Sequence, residues 1–167
     1  MQIVCLVGVD RTGKSTLADW LVENKGFEYV HFGKPESSPY EEYKKFVKKL
    51  KEERDTLLEK KYVIDRFVWC EYAYSRFYRR VSDCPLERVR ELERDLGITD
   101  AEIVFCRTDA KSNLERIKEE GKNEITSEGE IDFINSMYEE VLKNSVLLRT
   151  DYDFTKGDSP EKLFASL

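Results

Sequence analysis

Near its N-terminus the chain reads Gly8-Val9-Asp10-Arg11-Thr12-Gly13-Lys14-Ser15, which fills the phosphate-loop pattern G-x-x-x-x-G-K-[ST]. The apolar run before the loop, residues 3–7, predicts a short buried strand, and Thr16 to Lys25 after it predicts a helix. Between a strand and a helix, the backbone N–H groups of such a loop and the positive helix end face one point, where phosphate oxygens are held. The loop and its flanks therefore predict binding of a nucleoside triphosphate.

The same pattern assigns roles to individual side chains. Lys14 is expected to reach the outer phosphates, and the Ser15 hydroxyl is expected to hold a magnesium ion. We therefore expect ATP and Mg²⁺ as ligands. The residues expected to contact ATP in this stretch are Gly8, Val9, Asp10, Arg11, Thr12, Gly13, Lys14, Ser15 and Thr16.

Length and charge limit the possible classes of protein. The chain has 167 residues, with 28 basic and 34 acidic side chains and a formal net charge of −6, and this length is typical of one domain. An acidic protein without a basic block is a poor candidate for wrapping nucleic acid, so we expect small-molecule nucleotides as partners. No stretch approaches the roughly 18 apolar residues of a membrane span. The first strand starts at the N-terminus, which favours a cytoplasmic protein without a signal peptide.

The cysteines and the single histidine do not predict a metal site. No C-x-x-C pair occurs, and His31 has no metal-ligand spacing around it. Reduced thiols are therefore expected at Cys5, Cys70, Cys84 and Cys106.

Short β-rich runs alternate with longer helical runs along the chain. The predicted strands are Gln2–Val7, Phe27–Phe32, Tyr62–Asp65, Glu102–Cys106 and Val146–Arg149. This alternation predicts an α/β protein with the three-layer P-loop NTPase fold, in which helices flank a five-stranded parallel sheet. Right-handed crossovers then bring the strand ends to one edge of the sheet, where ligands bind.

Three further segments have distinctive patterns. Pro39 to Lys60 predicts a long amphipathic helix with Leu57 and Leu58 on its apolar side. Residues 68–80 are rich in aromatic side chains, some expected in the core or a subunit interface and one or two beside a base. The polar stretch 150–157 is expected to form a loop that holds the adenine.

The third predicted strand separates the classes of phosphate-loop protein. A GTPase would carry a D-x-x-G switch and an N-K-x-D motif, but the chain has no D-x-x-G outside the phosphate loop and no N-K-x-D. The strand instead ends at Asp65-Arg66. Asp65 is expected to orient magnesium or its waters, and the Arg66 fork is suited to gripping an acceptor phosphate. A surface salt bridge that caps the next helix is the structural alternative.

The residues that follow carry a resemblance to a known family. Residues 65–75 read D-R-F-V-W-C-E-Y-A-Y-S and resemble the signature D-R-[YF]-x-x-S-x-x-A-Y-Q of thymidylate kinases. The acid and arginine of the phosphate loop are similar to the eukaryotic-type loop of that family. Residues 114–122 resemble the beginning of the family's lid. The matches occur in the family's order across most of the chain.

The resemblance implies a fold, an activity and an assembly. Residues 1–167 would form a single P-loop nucleotide kinase domain with a short lid around 114–128. The implied reaction is the ATP- and Mg-dependent transfer of the γ-phosphoryl group to a deoxynucleoside monophosphate, a pyrimidine such as dTMP or a modified dUMP. No general base is needed, because the acceptor phosphate is already anionic. A homodimer is the family-based expectation, and the compact length suits a phage or prophage enzyme.

The resemblance also implies catalytic roles for four residues. Lys14 would hold the donor phosphates, and Arg11 would neutralise charge on the γ-phosphate as it transfers. Asp10 would accept a hydrogen bond from the deoxyribose 3′-hydroxyl, and Arg66 would clamp the acceptor phosphate. Tyr74 would lie against the sugar.

Further contacts are expected from the lid and from the end of the second strand. Arg116 would contact ATP from the lid, together with the basic residues Lys118 and Lys122. An ordinary solvated helix end is the alternative for this segment. Phe32 is expected either to stack on the base or to belong to the core, and Lys34 to touch the acceptor phosphate.

Departures from the family pattern leave the base open. Cys70 stands where the pattern has serine, and Ser75 stands where it has glutamine. One alternative function is a deoxynucleoside kinase, for which Glu36 is a weak candidate for the general base. The other is a non-catalytic regulator that binds ATP.

Overall fold

The middle of the molecule is one parallel sheet. Its strands are β1 (Gln2–Val7), β2 (Glu28–His31), β3 (Lys61–Asp65), β4 (Asp100–Cys106) and β5 (Leu148–Tyr152). They lie in the order β2-β3-β1-β4-β5. The structure, a computed structural model, describes residues 1–33, 38–54, 59–121 and 124–165. It confirms the predicted α/β fold with a five-stranded parallel sheet.

Helices connect the strands. Those of the described residues are α1 (Lys14–Lys25), α2 (Pro39–Glu53), α3 (Val68–Phe77), α4 (Leu86–Leu96), α5 (Ala110–Glu119), α6 (Glu128–Leu142) and α7 (Pro160–Leu163). A single 3₁₀ turn, Phe154–Lys156, follows β5. No helix of the described ranges is both long and apolar enough to cross a bilayer.

Both faces of the sheet are buried, as a three-layer fold requires. Along β1, Ile3, Cys5 and Val7 belong to one core, and Val4 and Leu6 belong to the other. This alternation follows from the two-residue period of a strand. The first core packs beneath α2, α3, α4 and α6, and the second beneath α1 and α7. The continuous apolar run of β1 is therefore explained by burial on both sides.

Two elements differ from the prediction by more than two residues at a boundary. The helix predicted from Pro39 to Lys60 ends at Glu53, and Lys60 is not helical. The apolar pair Leu57 and Leu58 lies outside the described residues. The other four strands begin and end within two residues of their predicted bounds, so the remaining error concerns β5.

The fifth strand starts later than predicted. Val146, the predicted first residue, is 61% exposed, and the strand runs from Leu148 to Tyr152. β5 pairs only with β4 and forms an edge of the sheet, so its residues are not marked by burial. The stretch 150–157 is consequently not one loop, because it begins as strand and continues as the 3₁₀ turn.

The sheet order places the two predicted halves of the site next to each other. Leu6 of β1 is in register with Asp65 of β3. Both strands run in the same direction, so the loop after β1 and the residue after β3, Arg66, lie at one carboxyl edge. Ligands of open α/β sheets bind in the crevice at this edge.

Candidate active site

The phosphate loop has a tightly constrained backbone. Gly8 has a φ of 139°, and a Cβ built there would lie 2.0 Å from the carbonyl oxygen of Cys106. Gly13 has a φ of 89°, and Arg11, although not a glycine, has a φ of 66°. Left-handed backbone at a residue with a side chain is uncommon and concentrates at functional sites. The loop therefore has the form of an anion cradle at the start of α1.

Lys14 is buried and directed into its own loop. Its Nζ donates to the carbonyl oxygens of Gly8 at 2.9 Å and of Val9 at 2.7 Å. The Thr12 hydroxyl also donates to the Val9 carbonyl, at 2.8 Å. The ammonium group is therefore held against the backbone of its own loop.

Two buried residues from distant helices hold the loop from outside. The Tyr138 hydroxyl of α6 donates to the Gly8 carbonyl at 3.2 Å. The Asn113 side-chain amide of α5 donates to the Asp10 carbonyl at 2.8 Å. Neither residue was predicted from the sequence, because neither belongs to a motif and each lies more than 100 positions away from its partner.

Asp10, Arg66 and Tyr74 meet at the junction of the loop and the neighbouring strand end. Arg66 Nη2 lies 3.4 Å from Asp10 Oδ1, and both side chains are partly exposed. The Asp10 backbone N–H donates to the Tyr74 hydroxyl oxygen at 3.2 Å. Burial raises the pKa of Tyr74 well above its ordinary value, so the hydroxyl stays protonated at neutral pH and keeps a hydrogen to donate. Arg66 also has a positive φ, of 60°.

A cavity of about 620 Å³ opens in front of this junction. It is large enough for a nucleotide, since ligand pockets commonly measure roughly 300–1,000 Å³. The predicted site residues that line it are Gly8, Asp10, Lys14, Phe32, Arg66 and Tyr74. The structure thus brings the predicted loop residues and the predicted acceptor residues around one space.

Phe32 belongs both to the core edge and to the cavity. Its ring packs edge-on against Tyr43 at 5.0 Å and Phe46 at 5.4 Å, and tilted against Phe67 at 5.6 Å. It is only partly buried and also lines the cavity. Both roles considered for Phe32 are therefore compatible with its position.

Asp65 is buried at the end of β3 with one oxygen unsatisfied. Its Oδ2 accepts a hydrogen bond from the Tyr29 hydroxyl at 3.2 Å and lies 3.4 Å from His31 Nδ1. Its Oδ1 has no hydrogen-bond partner among the described residues. Burial, and then the charge of Asp65, raises the pKa of Tyr29 to about 12.

The oxygen groups near the loop fit a magnesium ion. An orphaned carboxylate oxygen and the exposed hydroxyl of Ser15 are hard ligands, and Mg²⁺ commonly uses one or two such groups with substrate phosphates and waters. The described part of the chain contains no cluster of three or more His, Cys, Asp or Glu residues that could hold a metal alone. These residues therefore support a magnesium ion that is held partly by the protein and partly by the phosphates of a bound nucleotide.

A second set of residues lies on the other side of the loop. The Arg116 guanidinium of α5 stands 4.6 Å from the centre of the Phe154 ring, and Phe154 carbons lie closest to a Cβ built on Gly13. Arg116 Nη1 is buried and has no hydrogen-bond partner within the described ranges. Arg116 does not line the cavity described above and is placed where the loop, α5 and the 3₁₀ turn meet.

The remaining predicted residues differ in placement. Arg11 Nη1 points to Glu120 Oε1 at 3.5 Å, so the loop contacts the end of α5. Thr16 and Lys118 are exposed. Lys34 and Lys122 lie outside the described residues. The lid around 114–128 therefore stays a prediction.

The far wall of the cavity was predicted only in part from the sequence. It is lined by Glu71, Arg80, Ser82 and Glu124, which carried no prediction, and by Tyr78, which belongs to the aromatic stretch 68–80 in which one or two residues were expected beside a base. Cys70, which replaces the serine of the signature, also faces the cavity, and burial raises the pKa of its thiol to about 11. The exposed mouth includes a hydrogen bond from the Tyr78 hydroxyl to Glu124 at 2.7 Å.

Comparison with known proteins gives a fold. No protein-family model and no curated protein matches the sequence. The structure is similar to the YorR protein of Bacillus subtilis in complex with phosphorylated GDP. That match has 22% identity and a TM-score of 0.77 and covers 99% of this chain and 92% of that one.

Two kinases give further matches. A deoxyadenosine kinase from M. mycoides has 18% identity and a TM-score of 0.58, over 99% of this chain and 97% of that chain. A thymidylate kinase from Candida albicans has 13% identity and a TM-score of 0.53, over 99% of this chain and 88% of that chain. The chain therefore has the P-loop fold that these nucleoside and nucleotide kinases share.

Proposed function

We propose that this protein is an ATP- and magnesium-dependent kinase that transfers the γ-phosphoryl group to a deoxynucleoside monophosphate. The observation that carries the proposal is the junction of Asp10 and Arg66, 3.4 Å apart, between the phosphate loop and the 620 Å³ cavity. A donor site and an acceptor site that share one boundary are what phosphoryl transfer between two nucleotides requires.

The charges at the junction favour an acceptor that already carries a phosphate. Lys14 and Arg66 both line the cavity. An Arg guanidinium binds phosphate oxygens through two parallel hydrogen bonds, so Arg66 is suited to clamp a monophosphate. Such an acceptor is anionic and attacks without a general base, so catalysis consists of positioning and charge stabilisation.

The chain's own groups would act in the following way. Lys14 would leave the Gly8 and Val9 carbonyls and turn to the donor phosphates, and Arg11 would leave Glu120 and neutralise the transferring group. Magnesium, when bound at Ser15 and Asp65, would neutralise phosphate charge and fix the donor's conformation. Arg116 would lie over the adenine beside the 3₁₀ turn.

The acceptor's sugar would be held at the junction. Asp10 would accept a hydrogen bond from the 3′-hydroxyl, and the bulk of Tyr74 beside it would disfavour a 2′-hydroxyl. The names of the structural neighbours support a nucleotide ligand, since one is a complex with phosphorylated GDP and another is a kinase bound to dCMP and dCDP. A pyrimidine acceptor, a homodimer and a cytoplasmic location stay predictions.

The reaction is tested by measuring ATP consumption in the presence of Mg²⁺. The panel contains dTMP, dUMP, 5-hydroxymethyl-dUMP, dCMP, dAMP and dGMP, with thymidine, deoxycytidine and deoxyadenosine as nucleosides. Turnover of one or more monophosphates is expected. Turnover of nucleosides alone would identify a deoxynucleoside kinase instead, and tight ATP binding without any turnover would identify a regulator.

The clamp is tested by substitution. Lys14→Ala is expected to abolish turnover, and Arg66→Ala to raise the KM for the monophosphate about tenfold or more with a smaller effect on the KM for ATP, because a hydrogen bond to a charged group contributes roughly 1.5–3 kcal/mol. Arg94→Ala, at an exposed arginine of α4 outside the cavity, is the matched control. An unchanged KM for the monophosphate in Arg66→Ala would contradict the clamp.

A further inference from the structure

The far wall of the cavity carries a buried glutamate with two partners. Glu71 of α3 is 6% exposed and lines the cavity. Its Oε2 accepts a hydrogen bond from Arg80 Nη2 at 2.7 Å, and its Oε1 accepts one from the Ser82 hydroxyl at 2.9 Å. A glutamate is almost never this buried unless it is paired. The pairing of Glu71 with Arg80 is therefore an ordered part of the cavity wall.

The residues of the cavity can be matched to the phosphate, sugar and base of a nucleotide. Arg66 and Asp10 line the cavity 3.4 Å from each other, and Tyr74 lies beside them. Glu71 lies one helical turn from Tyr74 on the same helix, and residues three apart on a helix are neighbours about 5–6 Å apart. If the phosphate is held at Arg66 and the sugar at Tyr74, as in the function proposed above, the base lies at Glu71 and Arg80.

The hydrogen-bonding capacity of the pair is not exhausted. A carboxylate accepts about four hydrogen bonds, and Glu71 receives two from the residues described. The Arg80 side chain is 44% exposed, and a guanidinium carries five N–H donors. The far wall therefore has a hydrogen-bond acceptor with remaining capacity, Glu71, next to a donor with remaining capacity, Arg80.

This combination distinguishes among the bases. Cytosine, adenine and guanine each present an exocyclic amino group next to an acceptor ring nitrogen. Thymine and uracil carry a carbonyl oxygen at the ring position where cytosine carries its amino group, so a carboxylate placed to accept from that amino group would face a carbonyl oxygen instead. A buried group left facing a like partner costs roughly 1–3 kcal/mol.

We propose that Glu71 and Arg80 select an acceptor base that carries an exocyclic amino group, with the amino group donating to Glu71 and the adjacent acceptor receiving a hydrogen bond from Arg80. This inference rests on the proposed function. It makes cytosine the matching pyrimidine, in place of the thymine or modified uracil expected from the sequence resemblance. Glu71 and Arg80 then determine specificity and take no part in the transfer itself.

The pair also fastens the segment around Ser82 to α3, and a purely structural fastening would not distinguish bases. The test therefore compares ratios of kcat/KM between bases within one protein. For the unaltered protein, kcat/KM for the best of dCMP, dAMP and dGMP is expected to exceed that for dTMP and for dUMP at least about tenfold.

Glu71→Gln replaces one carboxylate oxygen by an NH₂ donor of nearly the same size. A glutamine amide donates and accepts side by side, which suits the carbonyl and N–H of thymine. The variant is therefore expected to lower the ratio of kcat/KM for the amino-bearing monophosphate to that for dTMP by about tenfold or more. Arg80→Lys keeps the charge but loses the fork, and a decrease in the same ratio is expected.

Glu93→Gln is the matched control. Glu93 is also buried and paired with an arginine, since its carboxylate accepts from Arg90 Nη1 at 2.5 Å and from Trp69 Nε1 at 2.7 Å. It is not part of the cavity wall. Glu93→Gln is expected to lower the melting temperature and leave the ratio between bases unchanged.

The outcomes separate the inference from the proposed function. A preference of the unaltered protein for dTMP or dUMP, or an unchanged ratio in a folded Glu71→Gln, would overturn the inference while the kinase proposal stands. If no monophosphate is turned over, the kinase proposal fails. Calorimetric binding of deoxycytidine and deoxyadenosine against thymidine then decides the base preference, and equal affinities would overturn it.

Discussion

At the scale of single residues, two glycines with a positive φ differ in the space around them. Gly8 has no room for a side chain, whereas Gly26 has room and requires glycine only for its backbone conformation. A Cβ at Gly8 would lie 2.0 Å from a backbone oxygen, whereas nothing lies within 4 Å of a Cβ at Gly26, whose φ is 70°. Gly8→Ala is therefore expected to lower the free energy of unfolding by about 3 kcal/mol or more, and Gly26→Ala by only about 1–2 kcal/mol. Urea unfolding measures both. Equal losses would show that the loop backbone yields to the added methyl group.

Residues of the site differ in how far a sequence can reveal them. The loop residues and Arg66 belong to a contiguous pattern whose chemistry fixes its residue types, and the structure brings them around one cavity. Asn113, Tyr138 and Glu71 make equally specific contacts, but they are brought there by helix packing and by the path of the chain after α3. Such contacts leave no periodicity or spacing in the sequence, so only the fold discloses them.

At the scale of elements, α6 depends on its first turn. The Ser127 hydroxyl accepts from the Glu130 backbone N–H, and the Glu130 carboxylate accepts from the Ser127 backbone N–H, which completes a capping box. Ser127→Ala is expected to lower the free energy of unfolding by about 1 kcal/mol. Ser136→Ala, at an exposed position in the same helix, is the control and is expected to be neutral or slightly stabilising. Thermal unfolding of the two variants checks this, and equal melting temperatures would contradict it.

The elements themselves were predictable to different degrees for a physical reason. β1 is buried on both faces and is almost uninterrupted in its apolar character, so its bounds follow from the sequence. β5 lies at the edge of the sheet, and its residues from Arg149 to Asp151 are polar, while the apolar Val146 outside it is exposed. A run of hydrophobic residues indicates that a segment is buried and not that it forms a strand. Burial and strand structure coincide only for strands inside the sheet.

At the scale of the whole molecule, an ion-pair cluster fastens α6 to the sheet. Glu139 accepts hydrogen bonds from Arg149 at 2.7 and 2.9 Å and from Arg107 at 3.0 Å. These bonds, those from Arg149 first, lower the pKa of Glu139 below its ordinary 4.5. Because the folded state binds this proton less tightly than the unfolded chain, the cluster stabilises the protein above pH 4.5 and loses its effect as the pH falls through the lowered pKa.

Glu139→Gln is therefore expected to be less stable than the unaltered protein at neutral pH, with a difference that shrinks as the pH falls below 4.5. Denaturant unfolding at a series of pH values measures this difference. Asp132→Asn, at an exposed acid of the same helix, is the control. A difference that stays constant across the acid range would show that Glu139 contributes through packing alone.

Because β1 and β3 are neighbouring strands, the distance between the residues that follow them is fixed by the sheet. Neighbouring strands lie about 4.8 Å apart, a spacing set by backbone hydrogen bonds and common to all sheets. The phosphate loop follows β1 and Arg66 follows β3, and these two strands are neighbours in which Leu6 is opposite Asp65. In the proposed reaction, the distance between the donor site and the acceptor site would therefore be set by the spacing of backbone strands and not by any side chain. Substitutions along α3 would then change the choice of base, as inferred above, without changing that distance.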